Sequence, residues 1–170
     1  MKYFNGFSLQ HEEGVFFEHT IKSDLCVSGF SYGAQQAFEY VYGTDRRVDR
    51  LILLSPAFFQ NQKQSFARTQ LRYFKAGQEA YVKQFLQNVA YPSSVDLKAY
   101  LNIGTSEELE ALLTYIWDAG KIQEVLSRGT TIEIFLGGDD KIINAKDAFE
   151  FFSPLATTYF TKGVGHLLCA

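Results

Sequence analysis

One short stretch restricts this chain more than any other: Cys26-Val27-Ser28-Gly29-Phe30-Ser31-Tyr32-Gly33-Ala34. An apolar run leads into Gly-x-Ser-x-Gly, and a helical pattern leaves it. A serine between a strand and a helix sits on a sharp, strained turn, and its neighbours must be small so that the helix can pass close to the strand. Gly29 and Gly33 meet that need. The turn lifts the Ser31 hydroxyl above the sheet edge and aims the next helix N-terminus at it. The backbone N–H of Tyr32 then becomes a donor for a developing oxyanion. Taken bare, the motif also describes an ordinary β-turn that holds a serine. An acid and a histidine downstream, in that order, separate the two readings.

The rest of the chain alternates between short apolar segments and helical ones. Strands are expected at Lys2–Phe4, Asp24–Gly29, Arg50–Ser55, Thr131–Leu136 and Thr157–Thr161, and helices at Glu12–Lys22, Gly33–Tyr42 and Ala145–Phe151. Leu51-Ile52-Leu53-Leu54 is continuously apolar, as a parallel strand buried on both faces should be. Between Phe58 and Arg128 the strand signal disappears. Helical spacing there predicts helices near Ser65–Phe74, Gln78–Asn88, Val95–Leu101, Ser106–Trp117 and Lys121–Ser127. The reading is an α/β fold in one domain over residues 1–170. It has a mostly parallel sheet of about five strands with right-handed crossovers, and a helical lid insertion at about 58–128.

Ligands of such sheets bind beyond the carboxyl ends of the strands. Asn5-Gly6-Phe7, Ser31, Asp140 and His166 all fall there. A serine needs a base to take its proton, and histidine is the usual one near neutral pH. Of three histidines, His11 and His19 lie in or near the first helix and read as surface residues. His166 follows the last strand on a glycine-lined turn that can reach Ser31. The base needs an orienting acid. Gly137-Gly138-Asp139-Asp140 offers two, and Asp140 is favoured because it lies further past the strand end, with Asp139 left solvated or capping the next helix. The second oxyanion donor is expected from the loop after an early strand, with the N–H of Phe7 as candidate and a plain turn as the competing reading. No Cys, His or Glu cluster joins the paired aspartates, so neither a metal nor a cofactor is expected.

A net charge of −3 and a pI near 5.6 argue against a nucleic-acid partner. Hydrophobic content of 46% supports a full core. Cys26 and Cys169 do not make a disulfide framework, and Cys26 reads as a buried thiol. Met1-Lys2-Tyr3-Phe4-Asn5-Gly6 is too soon broken for a signal peptide, and no apolar run approaches a membrane span, so a cytoplasmic location is expected.

These residues resemble the α/β-hydrolase superfamily: Gly29-Phe30-Ser31-Tyr32-Gly33, then Asp140, then His166, keep its Ser, Asp, His chain order. More narrowly, the chain looks like the short pimeloyl-ACP methyl ester esterases of biotin synthesis, the BioV type. The matching pieces are Tyr3-Phe4-Asn5-Gly6-Phe7, Val27 to Ala34, Leu53-Leu54-Ser55-Pro56, Glu107-Glu108-Leu109-Glu110, Phe151 to Leu155 and His166-Leu167-Leu168. The oxyanion loop has Asn5-Gly6 where larger members carry His-Gly. Strands that precede Lys2–Phe4 in those members are missing, and no helix follows His166. With every crossover right-handed and stepping the same way, helices gather on one sheet face, so the other is expected to be thinly covered, shielded by the chain's own packing or by a second subunit in a homodimer.

The resemblance implies a serine esterase that converts pimeloyl-ACP methyl ester to pimeloyl-ACP and methanol, with Ser31, Asp140 and His166 catalytic and Phe7 and Tyr32 in the oxyanion hole. The partner it implies is an acidic acyl carrier protein. Arg68, Arg72 and Lys75 share a helix face at i, i+4, i+7 spacing and would dock it; a solvated helix face is the competing reading. Phe66, Tyr73, Phe74, Tyr81 and Phe85 would line an acyl channel or fill the core. The alternatives are a broad-specificity carboxylesterase or acyl thioesterase, and a non-catalytic binding module.

Overall fold

The computed structural model describes all 170 residues, Met1 to Ala170. Five strands form one sheet: β1 (Lys2–Phe4), β2 (Cys26–Phe30), β3 (Arg50–Leu54), β4 (Thr131–Gly137) and β5 (Thr157–Thr161). Every neighbouring pair is parallel, and the spatial order follows the chain. Parallel neighbours need a crossover, and the helices supply most of them. These are α1 (Tyr32–Gly43), α2 (Gln64–Ala76), α3 (Gln78–Ala90), α4 (Ser106–Thr114), α5 (Ala119–Ser127) and α6 (Ala145–Phe152). No helix is long and apolar enough to cross a membrane.

The period-2 alternation of the central strands sorts their side chains to two faces. Val27, Leu51, Leu53, Ile132, Ile134 and Leu136 join Ala34, Ala37, Phe38 and Val41 of α1 and Ala148 and Phe152 of α6 in the larger core. Helix α1 forms because those four apolar residues recur at helical spacing; α1 and α6 lie on the sheet and α5 leans on α1. Helix α4 begins with a capping box. Thr105 accepts from the Glu108 N–H, and the Glu108 side chain accepts from the Thr105 N–H.

The other face carries Cys26, Phe30, Ile52 and Leu54. Only the C-terminal end of α3, through Val89, Phe85 and Leu86, reaches them from an α-helix. Leu9, Phe16, Leu97, Leu167 and Leu168 complete the cover. The chain's own loops, the end of α3 and the C-terminal segment therefore shield the sheet centre. Towards the β5 edge the cover thins: Phe135 stacks on Tyr159 at 4.8 Å, and Tyr159 stays exposed.

Three helical expectations need correction. Residues 12–22 do not form an α-helix; a single 3-10 turn spans Glu12–Phe16. Gly14 weakens the helix, and the Glu12 side chain is drawn inward to Gly6 and Tyr3. Only Phe16 is buried from that turn's apolar residues, against Phe30 at 4.7 Å. The expected helix at 95–101 is another 3-10 turn, Leu97–Tyr100, capped by Asp96, which accepts from the Lys98 N–H at 3.0 Å. Helix α4 stops at Thr114 rather than running to Trp117. The extended backbone at Tyr115 lets the Trp117 indole N–H reach the carbonyl of Ala57 at 2.9 Å.

Two glycines test this packing. A Cβ on Gly33 would lie 2.1 Å from the carbonyl oxygen of Phe4, whereas one on Gly43, at the end of α1, would meet nothing within 4 Å. Gly33→Ala is expected to lower unfolding stability by about 2 kcal/mol or more. Gly43→Ala should raise it by up to about 1 kcal/mol. Urea unfolding midpoints measured at constant slope check both.

Candidate active site

Strand β2 ends at Phe30 and α1 begins at Tyr32, so a single residue makes the turn. That residue, Ser31, has φ 54° and ψ −112°. A positive φ in a residue with a side chain costs on the order of 1–3 kcal/mol, so the surroundings must hold it. The Ser31 N–H donates to the carbonyl of Leu54 at 2.9 Å, and its own carbonyl accepts from the N–H groups of Ala34 and Ala57, both at 3.1 Å. The turn is tight enough that a Cβ on Gly29 would lie 2.1 Å from the carbonyl oxygen of Gly33. The end of β3 thus braces the end of β2. Gln35, buried in the first turn of α1, ties the same region to α4 by donating to the carbonyls of Ala57 and Leu112.

His166 reaches this turn from the loop after β5. Its Nε2 lies 2.9 Å from the Ser31 Oγ, and its Nδ1 lies 2.5 Å from Asp140 Oδ2. The partners set the tautomer: Nδ1–H donates to the carboxylate, and Nε2 accepts from the serine hydroxyl. Asp140 Oδ1 accepts from the N–H groups of Ile142 and Ile143 at 2.7 and 3.1 Å, which fixes the carboxylate from behind. The side chains of Asp140 and His166 are fully buried. Ser55, itself at φ 41°, donates its hydroxyl to the His166 carbonyl at 2.7 Å. The histidine loop lies directly on β4, because a Cβ on Gly137 would stand 2.1 Å from the Gly165 carbonyl oxygen. Asp139 is exposed, and its N–H is spent on the Val164 carbonyl. His11 is exposed, and His19 sits edge-on to Phe135 on the opposite sheet face, its pKa lowered by burial. Neither meets Ser31.

The Phe7 N–H makes no hydrogen bond within the protein, and the Tyr32 N–H, the first of α1, has no carbonyl a turn back within the helix to donate to. Both residues line one cavity of about 390 Å³, together with Asn5, Gly6, Gln36 and Gly104. The Phe7 ring is buried between Phe74 and Phe85, at 6.0 and 5.7 Å. Three bonds shape this loop. The Gly6 carbonyl accepts from the Leu9 N–H at 3.1 Å, Asn5 Oδ1 accepts from the His11 N–H at 3.0 Å, and Glu12 Oε1 accepts from the Gly6 N–H at 2.6 Å. Glu12 escaped the sequence reading. Its one signal was an acid six residues past Gly6 in a segment whose neighbours looked helical. It is wholly buried, and burial raises its pKa above the ordinary value. Burial, and then the neighbouring carboxylate, push the Tyr3 hydroxyl far up as well.

Helices α2, α3 and α4 enclose a groove of about 410 Å³, lined by Phe66, Tyr73, Tyr81, Phe85 and Leu112 among others, with Lys141 as its only charged residue. Of the aromatics expected to line an acyl channel or fill the core, Phe74 is buried in the core. Arg68, Arg72 and Lys75 are exposed on α2, and none of them forms an ion pair.

No protein-family model matches the sequence, and no curated protein is similar to it in sequence. Solved structures are similar to it in shape. MenH from S. aureus superposes with a TM-score of 0.62 at 13% identity, over 96% of this chain and 85% of that one. BioG from Haemophilus influenzae gives 0.60 at 11% identity, over 97% and 87%. Carboxylesterase CesB from Bacillus subtilis gives 0.58 at 18% identity, over 92% and 57%. The chain has the α/β-hydrolase fold. It spans little more than half the length of the Bacillus subtilis carboxylesterases it resembles. Within the α/β-hydrolase fold, the three strand ends that carry Ser31, Asp140 and His166 come together at one rim of the sheet.

A carboxyl whose pKa is raised on folding binds its proton more tightly in the native state. Its contribution is therefore full below the ordinary value near 4.5 and is lost as pH rises through the folded value. Glu12→Gln removes that loss. Wild-type stability should fall relative to the Gln variant as pH rises from about 4.5 towards neutrality, with Tyr3 and Glu13 the other titratable groups that bear on the site. Urea titrations of both proteins across that range check it; parallel curves would refute it.

Proposed function

We propose that this protein is a serine esterase that hydrolyses the methyl ester of pimeloyl-ACP. The observation that carries the reading is the unbroken relay from Ser31 Oγ through His166 to Asp140, at 2.9 and 2.5 Å. Ser31 attacks the ester carbonyl carbon while His166 Nε2 takes the hydroxyl proton. Asp140 holds the ring and stabilises the imidazolium. The tetrahedral oxyanion accepts from the N–H groups of Phe7 and Tyr32. The bond to the methoxy oxygen breaks, and methanol leaves with the proton from His166. Water then attacks the acyl-enzyme with His166 as base, and the free acid departs. Ser31 is nearly closed off from solvent. Side chains of the helical segment, acting as a lid, must shift to admit substrate.

The finer assignment rests on the sequence resemblance to BioV-type enzymes. The groove between α2, α3 and α4 suits an acyl chain, being mostly apolar. Arg68, Arg72 and Lys75, exposed and unpaired, suit an acidic carrier protein. A broad-specificity carboxylesterase or thioesterase is the second reading, supported by the fold shared with enzymes named carboxylesterases.

Purified protein should release methanol and free acid from pimeloyl-ACP methyl ester, and Ser31→Ala should reduce kcat by at least about 10³-fold. Arg68→Glu with Arg72→Glu should lower kcat/KM for the carrier-bound ester by about tenfold or more while leaving p-nitrophenyl ester hydrolysis unchanged. Equal loss on both substrates would remove the docking role and favour the second reading.

A further inference from the structure

Glu12 takes no part in the relay, yet its carboxyl is buried behind the loop that carries the Phe7 N–H. Its Oε1 accepts from the Gly6 N–H at 2.6 Å and from the Tyr3 hydroxyl at 3.1 Å, while Oε2 has no partner. A buried carboxyl with one idle oxygen is costly unless its position serves something. Gly6 shows what that is. Glycine explores more backbone conformations than any other residue, so left alone it would let the next N–H wander. No larger residue can replace it, since a Cβ there would lie 2.7 Å from the Phe30 ring.

Two peptide planes flank Gly6, and each is planar, so fixing both determines its φ and ψ. The Leu9 N–H holds the Gly6 carbonyl, which lies in the same plane as the Phe7 N–H. Glu12 holds the Gly6 N–H in the preceding plane. We propose that Glu12 is a positioning residue for the oxyanion site: by clamping the Gly6 N–H, it keeps the Phe7 N–H turned to the oxygen of the tetrahedral intermediate. This inference rests on the esterase reading above. Tyr3, from the edge strand next to β2, in turn holds the carboxyl, so the clamp is continuous with the sheet.

A misaligned oxyanion donor weakens transition-state binding and leaves ground-state binding alone. Steady-state hydrolysis of p-nitrophenyl hexanoate tests this, together with the Ki of phenylboronic acid, whose serine adduct is tetrahedral. Rates are referred to sites titrated with a fluorophosphonate. Glu12→Gln keeps an acceptor at the same reach and should retain kcat within about threefold. Glu12→Asp withdraws the acceptor by one methylene. It should lower kcat by about tenfold or more with KM unchanged, and raise the boronate Ki in step. Phe16→Leu, on the same 3-10 turn, should lower thermal stability without moving kcat or Ki. Should Glu12→Asp not fold, Tyr3→Phe frees the carboxyl to swing and carries the same test, with a loss in kcat alone. Wild-type kcat and Ki in Glu12→Asp, or equal losses in the Asp and Gln variants, would overturn the proposal. A wild-type protein inert towards every ester would overturn the esterase reading instead.

Discussion

The hydrogen bond from the Ser31 N–H to the Leu54 carbonyl couples backbone strain to sheet register. Ser31 occupies a conformation that L-residues avoid, and this bond is one of three that keep it there. It forms only if β2 and β3 pair in one register, with Phe30 beside Leu54. A slip of one residue would turn every core side chain to the wrong face and release the serine turn at once. The apolar run of β3 therefore contributes to the core and to the geometry of the nucleophile together. Gly29 and Gly33 make the arrangement sterically feasible, because carbonyl oxygens occupy the places their side chains would need.

The second dependence is electrostatic. Asp140 and His166 are closed off from water, where an unpaired charge is expensive. Each has its partners in place: two backbone N–H groups and the ring for the carboxylate, and the serine and the carboxylate for the ring. The low-dielectric surroundings strengthen these bonds and hold the ring in one tautomer. Ser55 sets the histidine's backbone, so the end of β3 braces the serine and the base alike.

Much of this was legible in the sequence for a local reason. Gly-x-Ser-x-Gly between a strand and a helix, Gly-Gly-Asp-Asp after an apolar strand, and Gly-Val-Gly-His after another each announce a turn without reference to anything distant. The parallel order followed from alternation. Interactions between distant residues were not legible. Residues 12–22 have apolar spacing that suits a helix, but Glu12 is captured by a loop N–H that no local pattern reveals. Helix α4 ends early because Trp117 finds a carbonyl far back in the chain. Phe74 looked like its neighbouring aromatics, and only packing against Phe7 assigns it to the core. Choosing Asp140 over Asp139 from sequence rested on one step of chain length, and what separates them in space is the pair of N–H groups that follows.

The strand order has a consequence for how the molecule assembles. The chain leaves the sheet at Leu54 and returns only at Thr131, after four helices. Closing so long a loop adds little entropy cost over a shorter one, since that cost grows only with the logarithm of length. It does delay the pairing that closes it, because sequence-distant contacts form slowly. The hydroxyl is delivered by chain that can condense early around β1, β2 and β3. The imidazole and the carboxylate arrive only once β4 and β5 have joined. A polypeptide emerging from the ribosome would thus carry its serine through the next 135 residues with nothing to activate it.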